Sequence, residues 1–67
     1  MNYKKIITAI LLVSDGPVDH IYFEENFNIS KAELLNIYTE INLDLKNSDF
    51  GFEINFNDME ADLLTLE

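Results

Sequence analysis

With 67 residues, no cysteine and a formal charge of −9, the chain lacks disulfides and thiolate metal ligands and has little with which to hold a polyanion. Its 13 acids face 4 basic residues, all lysine, so there is no arginine for bidentate contact with guanine. A domain of this size buries only about 60% of the surface its unfolded chain exposes, so the five Phe and three Tyr must supply much of the core.

Hydrophobic residues make up 48% of a chain with little interior, which implies that some face solvent or a partner. Oligomerisation is one route by which small chains bury more apolar surface. The acidic balance serves solubility, or draws the chain toward a basic partner by long-range attraction.

Residues 3–13 predict a first helix. At about 100° per residue, Tyr3, Ile6, Ile7, Ala9, Ile10, Leu11 and Val13 cover an arc of roughly 200°, with Lys4, Lys5 and Thr8 opposite. Leu12 falls in the polar sector. Two readings follow from so wide an arc: the helix is central and buried on several sides, or part of it, Leu12 especially, meets another subunit. Lys4-Lys5 followed by Ile6–Val13 imitates a secretory signal, but the run ends in Ser14-Asp15-Gly16-Pro17 instead of a small-x-small cleavage site. It also falls far short of the about 20 apolar residues that span a bilayer. A cytoplasmic, non-membrane protein is expected.

Asp15-Gly16-Pro17 should end the helix, since Gly permits a left-handed terminal residue and Pro cannot continue the helix. Asp19 then fits the N-cap of a second helix over about 20–26, with Val18 and Phe23 placed as a hydrophobic staple. Ile21 or Tyr22, together with Phe23 and Phe27, would form its buried face, leaving His20 partly exposed at the helix start. Asn26-Phe27-Asn28 reads as a turn in which Asn28 adopts positive φ, and Phe27–Ile29 suits a short extended segment.

A third helix over 31–46 carries the strongest local signals. Ser30 and Glu33 form the S-x-x-E capping box, flanked by Ile29 and Leu34 as a second staple. Leu34, Ile37 or Tyr38, Ile41 and Leu45 recur at helical spacing. Asn47-Ser48-Asp49 breaks the pattern. Beyond Gly51 the repeat becomes alternating: Phe52-Glu53-Ile54-Asn55-Phe56-Asn57 reads as a half-buried strand over 52–57. A return strand over 61–66 follows the Asn57–Glu60 turn, although Leu63-Leu64 breaks its alternation. The expected fold is therefore a mostly α, α+β winged helix-turn-helix. It would form one domain over 1–67, with three helices followed by a two-stranded wing.

No catalytic, cofactor or metal site emerges. His20 is the only histidine and has no Ser or Cys motif around it. Asp58, Glu60 and Asp62 have alternate spacing, but the glycine and distal glutamate of a calcium loop are missing, so they read as a solvated turn. In a DNA-reading winged helix the third helix enters the major groove and the wing touches phosphate. Here Lys31 and Lys46 are set against Glu33, Glu40 and Asp44, and the wing carries Glu53, Asp58, Glu60 and Asp62 with no base. Protein binding is what remains. Ile6, Leu12, Val13, Phe50 and Met59 are the candidate interface residues, and the wing edge is a place where another strand could add.

Ala9-Ile10-Leu11-Leu12-Val13-Ser14-Asp15-Gly16-Pro17-Val18 is similar to the Ala-Leu-Leu-Phe-x-Ser-x-Glu-Pro-Leu opening of the segregation and condensation protein B family. Ile29–Leu34 and Gly51–Ile54 fit its third helix and wing entry, so that the resemblance covers about residues 5–66. Gly16 stands where the family usually has an acid, and the wing tip lacks the family's glycines and aromatic. The family has two tandem winged helices, and this chain has room only for the first. The resemblance implies a non-enzymatic accessory subunit that self-associates and embraces the kleisin subunit of a bacterial SMC complex. On this reading the chain is the dimer-forming module. The alternatives are a winged-helix transcriptional regulator acting on DNA, and an acidic inhibitor that mimics nucleic acid in a basic protein groove.

Overall fold

The computed structural model describes residues 2–48 and 51–65. The elements run α1 (Tyr3–Val13), β1 (Val18–Asp19), α2 (His20–Phe27), α3 (Lys31–Ser48), β2 (Phe52–Phe56) and β3 (Glu60–Thr65). Three helices followed by an antiparallel hairpin give the winged helix-turn-helix layout that the sequence predicts. The strand not foreseen is β1. It pairs antiparallel with β3, giving a three-stranded sheet in the order β1-β3-β2.

Asn2 caps α1, its side chain accepting from the Lys5 N–H at 3.2 Å. The helix does not end through a left-handed glycine. Ser14 closes it in an extended conformation, and the Ser14 hydroxyl donates to the Gly16 carbonyl at 2.6 Å, making a tight polar turn ahead of Pro17. Extended backbone then continues into Val18-Asp19. The expected short extended segment thus lies between α1 and α2, and not over Phe27–Ile29. Asp19 stands at the N-cap of α2, yet its side chain makes no capping bond. Its backbone belongs instead to the β1–β3 ladder, opposite Glu60. Asn28 does take the left-handed conformation, at φ 54° and ψ 48°, and ends α2.

The capping box forms: the Ser30 hydroxyl oxygen accepts from the Glu33 N–H at 3.1 Å and lies 3.3 Å from the Glu33 carboxylate. Behind it Ile29 and Leu34 are both buried. Gly51 turns into the wing at φ 75°, where a side chain would be strained. β2 and β3 then pair in continuous register from Phe52↔Thr65 to Phe56↔Ala61. The break in alternation at Leu63-Leu64 does not interrupt the strand. Leu63 packs against the core and Leu64 is left exposed.

The core is Ile7, Leu11, Phe23, Ile29, Leu34, Tyr38, Ile41, Ile54 and Ala61. Helix α1 contributes a narrow stripe to it. Ile7 and Leu11 are buried, Tyr3 and Ile10 pack alongside, and Ala9 and Val13 face solvent. The wide arc therefore does not place α1 at the centre of the packing. A chain of aromatic contacts links the elements, with ring centroids 5.7 Å apart for Tyr3–Phe27, 6.0 Å for Phe23–Phe27, 6.4 Å for Phe23–Tyr38 and 5.1 Å for Tyr38–Phe56. Such pairs add about 0.5–1.5 kcal/mol each beyond their buried area.

Candidate protein-interaction surface

The polar feature that organises the molecule is His20. It is not a partly exposed helix-start residue: only 2% of it is accessible. Its ring Nε2 lies 2.7 Å from the Asn57 carbonyl oxygen and its Nδ1 lies 3.1 Å from the Tyr38 hydroxyl. A carbonyl can only accept, so Nε2 carries a proton and donates, and in the neutral ring Nδ1 accepts from the Tyr38 hydroxyl. The His20 backbone N–H also donates to the Met59 carbonyl at 2.9 Å, extending the β1–β3 ladder to the hairpin turn.

That arrangement explains Asn57. With its own carbonyl engaged by His20, the side-chain oxygen stands in and accepts from both the Met59 and Glu60 N–H groups, at 2.8 and 3.0 Å. The turn of the wing is thus anchored to the start of α2 and to α3. Burial pushes the Tyr38 phenol well above its ordinary 10.0, and the charge of Glu24 adds to the shift. Because His20 takes an inward position, Ile21 and Tyr22, one of which was expected in the core, are both exposed. The spacing His20, Phe23, Phe27 is the true inner face of α2. Treating His as apolar would have revealed it.

The interface candidates fall in different places. Leu12 is 59% exposed and lies in the wall of a cleft of about 560 Å³ between α1 and α3, with Ala9, Ile41 and Leu45 among its apolar lining. Val13 follows it and is 80% exposed, but is not part of that lining. Met59 is 74% exposed on the wing turn. Ile6 is half-buried, and Phe50 lies outside the described residues. Leu43, Ile21, Tyr22 and Leu64 are exposed apolar residues that the candidate set omitted. Leu43 could have been found, since it stands off the Leu34, Tyr38, Ile41, Leu45 spacing.

The rim of the α1–α3 cleft carries Lys4, Lys5 and Asp44. Lys4 Nζ meets Asp44 Oδ2 at 2.7 Å. The hydrogen bond to Asp44 holds the Lys4 ammonium above its ordinary value against some desolvation, with the charges of Asp44 and Glu40 assisting. Elsewhere on α3 the exposed Glu33 and Glu40 are set against the exposed Lys31 and Lys46, whereas the wing exposes Glu53 and Asp58 with no base among its described residues. A phosphate backbone approaching the wing meets repulsion.

Among the described residues, no three His, Asp or Glu side chains converge as metal ligands, and no helix is long and apolar enough to cross a membrane. Compared with models of known protein families, with curated proteins and with solved structures, the chain matches none.

Proposed function

We propose that the chain is a non-enzymatic winged-helix interaction module of the chromosome segregation and condensation type. It self-associates and serves the kleisin subunit of an SMC complex in the cytoplasm. The observation that carries this reading is Leu12, an apolar side chain left 59% exposed beside the open, largely apolar cleft between α1 and α3. The acidic wing supports it, because it sets that part of the scaffold against the common duplex ligand.

Area defines the extent of the contact. A stable interface takes about 800 Å² from each partner, and the whole chain exposes 4701 Å². A contact of that size takes about a sixth of the surface, so it would extend past Leu12 to neighbouring exposed side chains such as Val13. A second copy is the first occupant and the kleisin segment the heterologous partner.

Light scattering behind size-exclusion chromatography, at several concentrations, tests the reading. The wild-type chain is expected at twice its 7.8 kDa mass, and Leu12→Asp at the monomer mass with an unchanged far-UV spectrum. An exposed substitution of this kind costs the fold little. Association should persist at high salt, since an apolar contact is screened far less than a charged one. A strictly monomeric wild type sinks the self-association. Duplex DNA binding that weakens steeply with salt would instead favour a regulator.

A further inference from the structure

Asn57-Asp58-Met59 carries the chain from β2 into β3. The Met59 N–H donates to Asn57 Oδ1 at 2.8 Å, and the Met59 carbonyl accepts from the His20 N–H at 2.9 Å. Beneath them His20 Nε2 holds the Asn57 carbonyl. Both backbone groups of Met59 are therefore engaged, while its side chain stands largely exposed on a turn tied to α2. A turn ordered before it meets a partner lowers the cost of binding. Asp58 and Glu60 flank Met59, and residues 52–65 hold four acids, Glu53, Asp58, Glu60 and Asp62, with no base.

The α1–α3 cleft has the opposite character. Its wall is apolar at Ala9, Leu12, Ile41 and Leu45, and its rim sets Lys4 and Lys5 against Asp44 alone. Lys4 pairs with Asp44, which leaves Lys5 exposed and without an ion pair among the described residues. A second cleft of about 540 Å³, between α3 and β2, sets one lysine, Lys46, against Glu53. Of these two, only the α1–α3 cleft combines an apolar wall with surplus positive charge.

We propose that the wing tip of one copy enters the α1–α3 cleft of a second, with Met59 against Leu12, Ile41 and Leu45 and with Asp58 and Glu60 toward Lys4 and Lys5. This contact rests on the self-association proposed above and supplies its two unlike surfaces. Charge complementarity selects the occupant. Copies of a chain at −9 repel one another, so a self-contact has to bring a basic place against an acidic one. The tip and the cleft do so, and each brings apolar surface as well. Methionine suits the tip because its unbranched, flexible side chain fills an irregular apolar recess. Each copy carries one tip and one cleft, so reciprocal exchange closes the assembly as a two-fold pair.

Light scattering over a concentration series gives the midpoint of dimerisation. Met59→Asp keeps the backbone bonds of the turn, so its far-UV spectrum should match the wild type. Its midpoint should rise about thirtyfold, as for the loss of a central anchor, whereas Met59→Leu should stay near the wild-type midpoint. The deciding measurement mixes Leu12→Asp, which retains its tip, with Met59→Asp, which retains its cleft. Each alone should be monomeric, and the mixture should form a one-to-one pair. With Met59→Asp isotopically labelled, its Ala9 and Leu45 amides should shift as unlabelled Leu12→Asp is added to about 1 mM, a concentration that populates even a weak single contact. No shift at that concentration overturns the exchange. A Met59→Asp chain that dimerises like the wild type while Leu12→Asp does not also overturns it, and leaves a contact of α1 with α1 to carry the self-association. A wild-type chain that stays monomeric removes the self-association and the exchange together. Should either variant misfold, the wild type decides alone. Its Met59 methyl should shift on dilution through the midpoint together with the Ala9 and Leu45 amides, and a Met59 methyl that does not move overturns the proposal.

Discussion

Replacing His20 with Ala tests the central claim of the packing, that the wing is held by a buried imidazole. The substitution leaves the backbone bond to Met59 in place but strands two polar groups, the Asn57 carbonyl 2.7 Å from Nε2 and the Tyr38 hydroxyl 3.1 Å from Nδ1. A buried polar group left without a partner costs about 1–3 kcal/mol. The lost ring also leaves a void beside Phe23 and Tyr38, since His20 is among the largest fully buried side chains. The two groups together cost about 2–6 kcal/mol, and the void adds to that. At roughly 0.05–0.15 kcal/mol per residue, a chain of this length has only about 3–10 kcal/mol of stability to lose.

The assay is urea unfolding followed by far-UV circular dichroism, with thermal melts in parallel. Each kcal/mol corresponds to about 4–8 °C in a domain of this size, so a loss of about 2 kcal/mol or more should lower the melting temperature of His20→Ala by at least about 8 °C. His20→Gln, whose amide can still donate to the Asn57 carbonyl, should lose about 1–2 kcal/mol, because one of the two bonds survives. In a cycle with Tyr38→Phe the two losses should fail to add, with a coupling of about 0.5–3 kcal/mol. If His20→Ala instead costs about 0.5 kcal/mol or less, as an exposed substitution does, the imidazole is not buried and the account of the wing is wrong.

Stability should fall at alkaline pH, because burial raises the Tyr38 phenol above its ordinary 10.0 while the unfolded chain ionises near that value. The contribution is complete below pH 10.0 and is lost as pH rises toward the folded-state value. Tyr38→Phe should flatten this limb in urea titrations above that pH, and an unchanged limb would refute the assignment. Ser30→Ala removes the acceptor for the Glu33 N–H and should cost about 1 kcal/mol, read as a lower urea midpoint at constant slope.

The elements that are legible in the chain are those whose signals are local. Ser30 and Glu33 lie three residues apart and cap α3 as their types require, and the alternation through Phe56 marks β2 without reference to anything distant. β1 has no such signal. Its two residues become a strand only because Ala61 and Glu60 arrive beside them from the far end of the chain. The candidate surface divides in the same way. The exposure of Leu12 follows from its place in the polar sector of α1, whereas Ile41 and Leu45 join it in one cleft only through the packing of α3.

What periodicity discards is the polar residue that turns inward. His20 reads as partly exposed and Asn42 and Asn57 carry no apolar signal, yet His20 bonds Tyr38, the Asn42 amide bonds both backbone groups of Ile54, and Asn57 closes the wing turn. Apolar burial is non-directional, so it can assemble the helices and the hairpin without deciding how the wing is hung. Hydrogen bonds need both distance and alignment. The Asn42 clamp is satisfied only when Ile54 turns its backbone groups outward, and the His20 pair only when the hairpin turn reaches the start of α2. Those three side chains therefore select one placement of the wing from the several that the apolar pattern would tolerate.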